Sequence, residues 1–259
     1  MSRNEHRGRR RPLLTTRLRW PKASYPLPAL DVPIKQLILD GLRSAWERIV
    51  RQTAEDGGDL CAETEPAITS RLHITLNAIL GEVGHPSGFS GSIFQDVVRG
   101  AEIPNYSNDK LEKRPDLTFR LISVKPGLDR SLCALFTECK IVGSGHPVTA
   151  YCGSGILRFV IGDYAWAMPC GMMVAYSHSG FSVSDSLLPY LQPSTAERER
   201  LRLMQLPSLS AHLSGDPPVY VSSHGRPWHY PEQGDQPGDI SLLHLWLTLP
   251  SRGCLPGAA

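Results

Sequence analysis

The chain has 259 residues, 41% hydrophobic and 20% charged, with a formal net charge of +2. These are the proportions of an ordinary soluble globular protein, and no apolar run reaches the roughly eighteen residues that a membrane-spanning helix needs. The charge is too small to announce nucleic acid by itself, and the length suits one large domain or two small ones.

The first segment, "MSRNEHRGRRRPLLTTRLRWPK", sets Arg3, Arg7, Arg9, Arg10, Arg11, Arg17, Arg19 and Lys22 against Glu5 alone. Residues 1–30 are read as a basic, Pro-containing tail in solvent. The alternative for such a block is sequence-independent attraction to phosphate. It lacks the apolar centre of a secretory signal. Residues 31–259 are read as a single α/β domain.

Helical periodicity begins in "VPIKQLILDGLRSAWERIV", with Ile34, Leu37, Ile38, Leu42, Ala45, Trp46 and Ile49 on one stripe. "AEDGGD" ends it. "EPAITSRLHITLNAIL" predicts a second helix, with Pro66 in the first turn and Ile68, Leu72, Leu76 and Ile79 as its apolar stripe. Residues 81–113 read as loop. "PDLTFRLISV" and "LCALFTECKIV" then predict the two strands of a hairpin around the turn "KPGLDRS". A helix is expected over "GILRFVIGDYA", a strand over "CGMMVAYSH" and a charged helix over "STAERERLRLMQL". Two late strands follow, "PPVYVSSHGR" and "DISLLHLWLTL".

The strand around residues 135–142 poses a chemical problem. Leu135, Phe136, Ile141 and Val142 suit burial, yet Glu138 and Lys140 stand two residues apart on one face. Burying such groups costs several kcal/mol unless they are compensated. Asp116 lies eleven residues before Gly127 and Glu138 eleven after it. A regular hairpin therefore sets the two carboxylates opposite each other, roughly 5 Å apart at Cβ. Carboxylates that close repel, and a divalent cation removes the conflict. Mg²⁺ needs only one or two carboxylates, with water and phosphate oxygens completing its shell.

Pro115-Asp116, followed after 21 intervening residues by Glu138-Cys139-Lys140, resembles the PD-(D/E)xK nuclease superfamily. The resemblance covers about residues 60–180. It implies a restriction endonuclease-like core, a central mixed sheet flanked by helices. It also implies an endonuclease or other phosphodiesterase cutting DNA with Mg²⁺, or Mn²⁺ in its place, in antiviral defence or DNA processing. Asp116 and Glu138 would hold the metal and Lys140 would orient the attacking water. Glu65, which heads the second helix's apolar stripe, would complete the metal site, with Glu63 as its substitute. Arg158, on the helix after the catalytic strand, would reach phosphate or the DNA backbone.

Ser222, His224 and Arg226 fall on one strand face and are weaker candidates for phosphate contact. No histidine has a zinc-ligand spacing, and no GxxxxGK[ST] occurs, so ATP dependence would need a partner such as a helicase or ATPase. A homodimer is equally open. Cys61, Cys133, Cys139, Cys152, Cys170 and Cys254 form no CxxC pair and read as reduced thiols of a cytoplasmic protein. Two other readings stand beside the DNA nuclease. One is a catalytically silent nuclease-fold subunit for DNA binding or assembly; the other is an RNA nuclease.

Overall fold

The computed structural model describes residues 25–231 and 234–250. The basic segment 1–24 and Cys254 lie outside them. Residues 25–30, expected within the tail, are packed instead. Leu27 and Leu30 are buried, Leu27 donates its backbone N–H to the Ala167 carbonyl at 2.7 Å, and Tyr25 packs its ring against Trp166 and Tyr230. Three apolar side chains in six residues explain the difference, because leaving them in water would forfeit their burial.

Two long helices open the fold, α1 (Val32–Glu55) and α2 (Glu65–Leu80), each with proline in its first turn. The expected stripes point inward: Ile38, Leu42, Trp46 and Ile49 of α1, and Ile68, Leu72, Leu76 and Ile79 of α2, are all buried. The sheet then forms from β1 (Val98–Arg99), β2 (Leu117–Arg120) and β3 (Ala134–Val142).

A helical segment follows: α3 (Val148–Tyr151), a wider π turn over Cys152–Ile156, and α4 (Leu157–Val160). It starts seven residues before the expected Gly155 and ends short of Gly162, whose positive φ of 76° lets the chain reverse. Next come β4 (Cys170–Ser177), a second π turn leading into α5 (Leu188–Leu191), and α6 (Thr195–Arg200). Ser194 caps α6 by accepting the Glu197 N–H. The charged helix, expected to run to Leu206, stops at Arg200; Arg202, at a positive φ of 47°, turns the chain, and Leu203–Leu206 open the edge strand β5 (Leu203–Leu209). Pro207 fits there, since an edge strand tolerates a missing N–H. The last strands, β6 (Val219–His224) and β7 (Ile240–Thr248), lie where expected.

The seven strands form one mixed sheet in the order β1-β2-β3-β4-β7-β6-β5. The β3–β4 and β4–β7 pairs are parallel and the others antiparallel. Helices cover both faces. On one, Trp46 of α1 stacks on Tyr176, whose hydroxyl bonds Thr69 of α2. On the other, Phe159 of α4 lies over Gly171, where a side chain would collide with its ring, and Tyr151 of α3 bonds His244. Central β4 is buried along its whole length, as a strand covered on both faces must be. No helix among the described residues is long and apolar enough to cross a membrane.

Candidate active site

The hairpin of β2 and β3 carries the first two carboxylates. Leu117 pairs with Thr137, Thr118 with Phe136 and Phe119 with Leu135. One step further outward, this register sets position 116 against position 138, as counting around Gly127 predicts. Asp116 sits just before β2, and its Oδ2 accepts the backbone N–H of Cys139 at 2.7 Å. The side chain is thereby tied to the residue between Glu138 and Lys140. The hairpin arms are shorter than expected: β2 ends at Arg120, and residues 121–133 connect the strands.

Lys140 gathers the remaining groups. Its Nζ donates to Glu138 Oε1 and Glu65 Oε1, each at 2.9 Å, and to the Cys139 carbonyl at 2.8 Å. Three acceptors use all three ammonium hydrogens. Glu65 comes from the first turn of α2, and its Oε2 accepts the Ile141 N–H at 3.3 Å. The expected approach of Glu65 from that helix is what the structure has. Glu63, the substitute considered, pairs instead with Arg71 at 2.9 Å.

Glu138 is 2% exposed. Its Oε1 faces both Lys140 and Arg158 Nη1, the latter at 3.6 Å. Its Oε2 is buried and has no hydrogen-bond partner among the described residues. Burial first, and Asp116 second, raise the Glu138 pKa from 4.5 to about 7, against the opposing pull of Lys140 and Arg158. Burial also raises the Asp116 pKa, with Glu65 adding to it, while the Cys139 N–H, Lys140 and Arg158 work the other way. For Lys140 burial opposes the charge, but Glu138 and Glu65 outweigh it, and its pKa is raised. Glu65, Asp116 and Glu138, if all ionised, carry one negative charge more than Lys140 and Arg158 supply. The proton that Glu138 tends to retain balances that excess.

The donor set suits a hard cation in its chemistry, since carboxylate oxygens are what Mg²⁺ takes, and the orphaned Glu138 oxygen is a position one could use. The geometry is less direct. Among the described residues, no group of three or more His, Cys, Asp or Glu side chains is assembled in a form that could hold a metal ion. Glu65 and Glu138 converge on the Lys140 ammonium, where the sequence suggested that the carboxylates would converge on one cation.

Arg158 is held beside the site by a residue that sequence reasoning did not single out. Its Nη1 donates to the Tyr164 hydroxyl, and its guanidinium lies over the Tyr164 ring, 5.4 Å from the centroid. Tyr164 is fully buried, and its hydroxyl donates to the Arg114 carbonyl at 2.8 Å. The available signal was that Tyr164 follows Arg158 by six residues, just past a glycine that permits a turn back.

His224 and Arg226 do not belong to the site. His224 is inaccessible, with Nδ1 bonded to the Leu201 carbonyl at 2.8 Å and Nε2 to Ser222 Oγ at 2.8 Å. Arg226 is 8% exposed and donates to the backbone carbonyls of Trp166, Met168, Pro237 and Gly238. The expectation that they contact phosphate is corrected: their hydrogen bonds are spent inside the fold, and a phosphate would have to displace that packing. Cys133, Cys139, Cys152 and Cys170 are buried free thiols whose pKa values burial raises. They are poorly suited to nucleophilic attack.

Comparison of the chain with protein-family models, with curated proteins and with solved structures gave no match.

Proposed function

We propose that the chain is a Mg²⁺-dependent nuclease hydrolysing DNA phosphodiester bonds, on a restriction endonuclease-like core and in a defence or DNA-processing role. One observation carries the reading. Three carboxylates from separate elements, Glu65, Asp116 and Glu138, gather around Lys140 in a partly buried site. Merely structural ion pairs seldom bring so much charge together, because each group loses hydration on burial. A divalent ion that displaced the Glu138 proton would meet one uncompensated negative charge and turn the balance positive, which would favour a phosphodiester.

Asp116 and Glu138 would hold the cation, with Glu65 supporting them; when bound, it would offset charge on the phosphate and lower the pKa of a bound water. The protein groups have distinct tasks. The Cys139 N–H fixes Asp116 in orientation. Glu138 offers its free Oε2. Lys140, released from one carboxylate, orients the attacking water and faces charge developing on the phosphate. The water oxygen bonds to phosphorus as the bond to the leaving sugar oxygen breaks. The departing oxygen takes a proton, and the attacking water loses one.

The test is cleavage of plasmid, linear and single-stranded DNA, and of RNA, with Mg²⁺ or Mn²⁺ against a chelator control. Wild type should cut only with metal, and Lys140→Ala should cut at least about a hundredfold more slowly. Absence of cleavage by wild type, or an undiminished Lys140→Ala, would favour the second reading, a non-catalytic DNA-binding or assembly subunit. That reading draws on the ammonium between Glu65 and Glu138, which neutralises them without any metal.

A further inference from the structure

Arg158 is built differently from the other basic groups near the site. Its backbone carbonyl accepts the N–H groups of Asp163 (2.9 Å) and Tyr164 (3.2 Å), folding the turn after α4 back over it. Gly162 makes that turn feasible: its φ is 76°, and a Cβ there would stand 2.6 Å from the Tyr106 ring. Tyr164 then supports the guanidinium with both ring and hydroxyl, and its hydroxyl is anchored at Arg114, two residues before Asp116.

One edge of the guanidinium is thus committed. Nε and Nη2 have no partner among the described residues, and the side chain is 39% exposed. An arginine with fixed orientation and open N–H groups is a pre-formed fork for a phosphate. On the same turn, buried Asp163 pairs with Lys113 at 2.5 Å and with Lys110 at 3.8 Å, and Asp109 also acts on Lys110. Those lysines are thus paired with carboxylates, whereas Arg158 keeps N–H groups open.

We infer that Arg158 forms the track that receives the DNA backbone next to the reacting phosphate, and that Tyr164 is the positioning residue that holds its open edge in place. This rests on the nuclease reading for its substrate, but it is tested by binding.

Affinity of a 20-base-pair DNA duplex would be measured against salt, once with Ca²⁺ and once with chelator, using folded variants checked by circular dichroism. Arg158→Ala should weaken binding about tenfold and reduce the salt slope by about one. Arg158→Lys should restore the slope without restoring full affinity, because the charge returns and the fork does not. Tyr164→Phe keeps the ring and should weaken binding severalfold with the slope unchanged. In an Arg158→Ala background Tyr164→Phe should add nothing, since a positioning effect vanishes with the group positioned. An unchanged slope in Arg158→Ala would overturn the track, as would absence of duplex binding by wild type in both conditions. An equal Tyr164→Phe cost in both backgrounds would overturn the positioning role. A wild type that binds through Arg158 yet cuts nothing removes the nuclease reading and leaves this inference standing. A wild type that cuts with Arg158 irrelevant does the reverse.

Discussion

Asp116 Oδ2 accepts the backbone N–H of Cys139 at 2.7 Å, which locks the carboxylate against the strand carrying Glu138 and Lys140. Asp116→Asn can keep that bond through its amide oxygen while losing the charge. It should fold like wild type, bind Mn²⁺ more weakly and lose most cleavage. Asp116→Ala should also leave the N–H without its acceptor, costing about 1–3 kcal/mol in chemical denaturation. Equal stability of the two variants would show that the bond contributes nothing.

Glu138 should make stability depend on pH. Its folded pKa of about 7 lies above the ordinary 4.5, so the folded state holds the proton more tightly than the unfolded state. That contribution is full below about pH 4.5 and is lost as pH rises through 7. Its size is on the order of 3 kcal/mol. Denaturation midpoints at pH 5 and pH 8 should differ in this sense for wild type, and Glu138→Gln should flatten the difference. A Glu138→Gln protein with the wild-type slope would place the titration elsewhere.

A second titrating unit should act with the opposite sign. Trp246 donates to the Tyr151 hydroxyl, Tyr151 and Ser222 flank His244, and Ser222 also bonds His224. Because His224 Nδ1 faces a carbonyl, it must be the donor there, and Ser222 then donates to His224 Nε2. His244 follows as the Nε2–H tautomer, accepting Tyr151 at Nδ1. Burial lowers the pKa of His224 to about 4 and of His244 to about 3, with His224 adding to the latter. Asp239 acts weakly in the raising direction on His224. This stabilisation is present above about pH 6.5 and is lost as pH falls toward 3. Replacing His244 by Gln should destabilise the protein at pH 7 and soften its acid unfolding. An unchanged acid midpoint would count against the chain.

Arg226→Ala should be a folding defect without a binding phenotype. It removes the donor of four backbone carbonyls, of which, among the described residues, Trp166's alone keeps another partner, the Tyr230 hydroxyl, and the guanidinium it deletes is one whose pKa burial lowers to about 10. A loss of about 3–5 kcal/mol is expected, as for breaking a buried charged network. The salt slope for DNA should stay as in wild type.

Gly155 tests how the π turn serves the site. A Cβ there would meet Met173 Cε at 2.4 Å and Lys140 Cγ at 3.8 Å. Met173 can move at its flexible end, so Gly155→Ala should cost only about 1–3 kcal/mol. Cleavage should follow stability, because 3.8 Å is an ordinary contact for the Lys140 stem and only Met173 must move. A stably folded Gly155→Ala protein that has lost cleavage would show that the Met173 shift reaches Lys140.

Sequence alone determined the elements whose pattern is local. The stripes of α1 and α2 are legible because apolar side chains recur at helical spacing, and Glu65 heads its stripe. The hairpin register follows from symmetric counting about a turn glycine, which brought Asp116, Glu138 and Lys140 together on paper. Tertiary structure decided what depends on neighbours distant in sequence. The "SSHGR" face looked available because alternation reports a face and not what covers it; Leu201, just after α6, meets His224, the Trp166 and Met168 carbonyls meet Arg226, and both side chains are inside. The end of the charged helix was lost because residues 203–209 pair as an edge strand with β6, a contact no local propensity encodes. Tyr164 stayed invisible for the same reason. Its role arises from a turn at Gly162 and a carbonyl fifty residues earlier, and only the folded chain places them against Arg158.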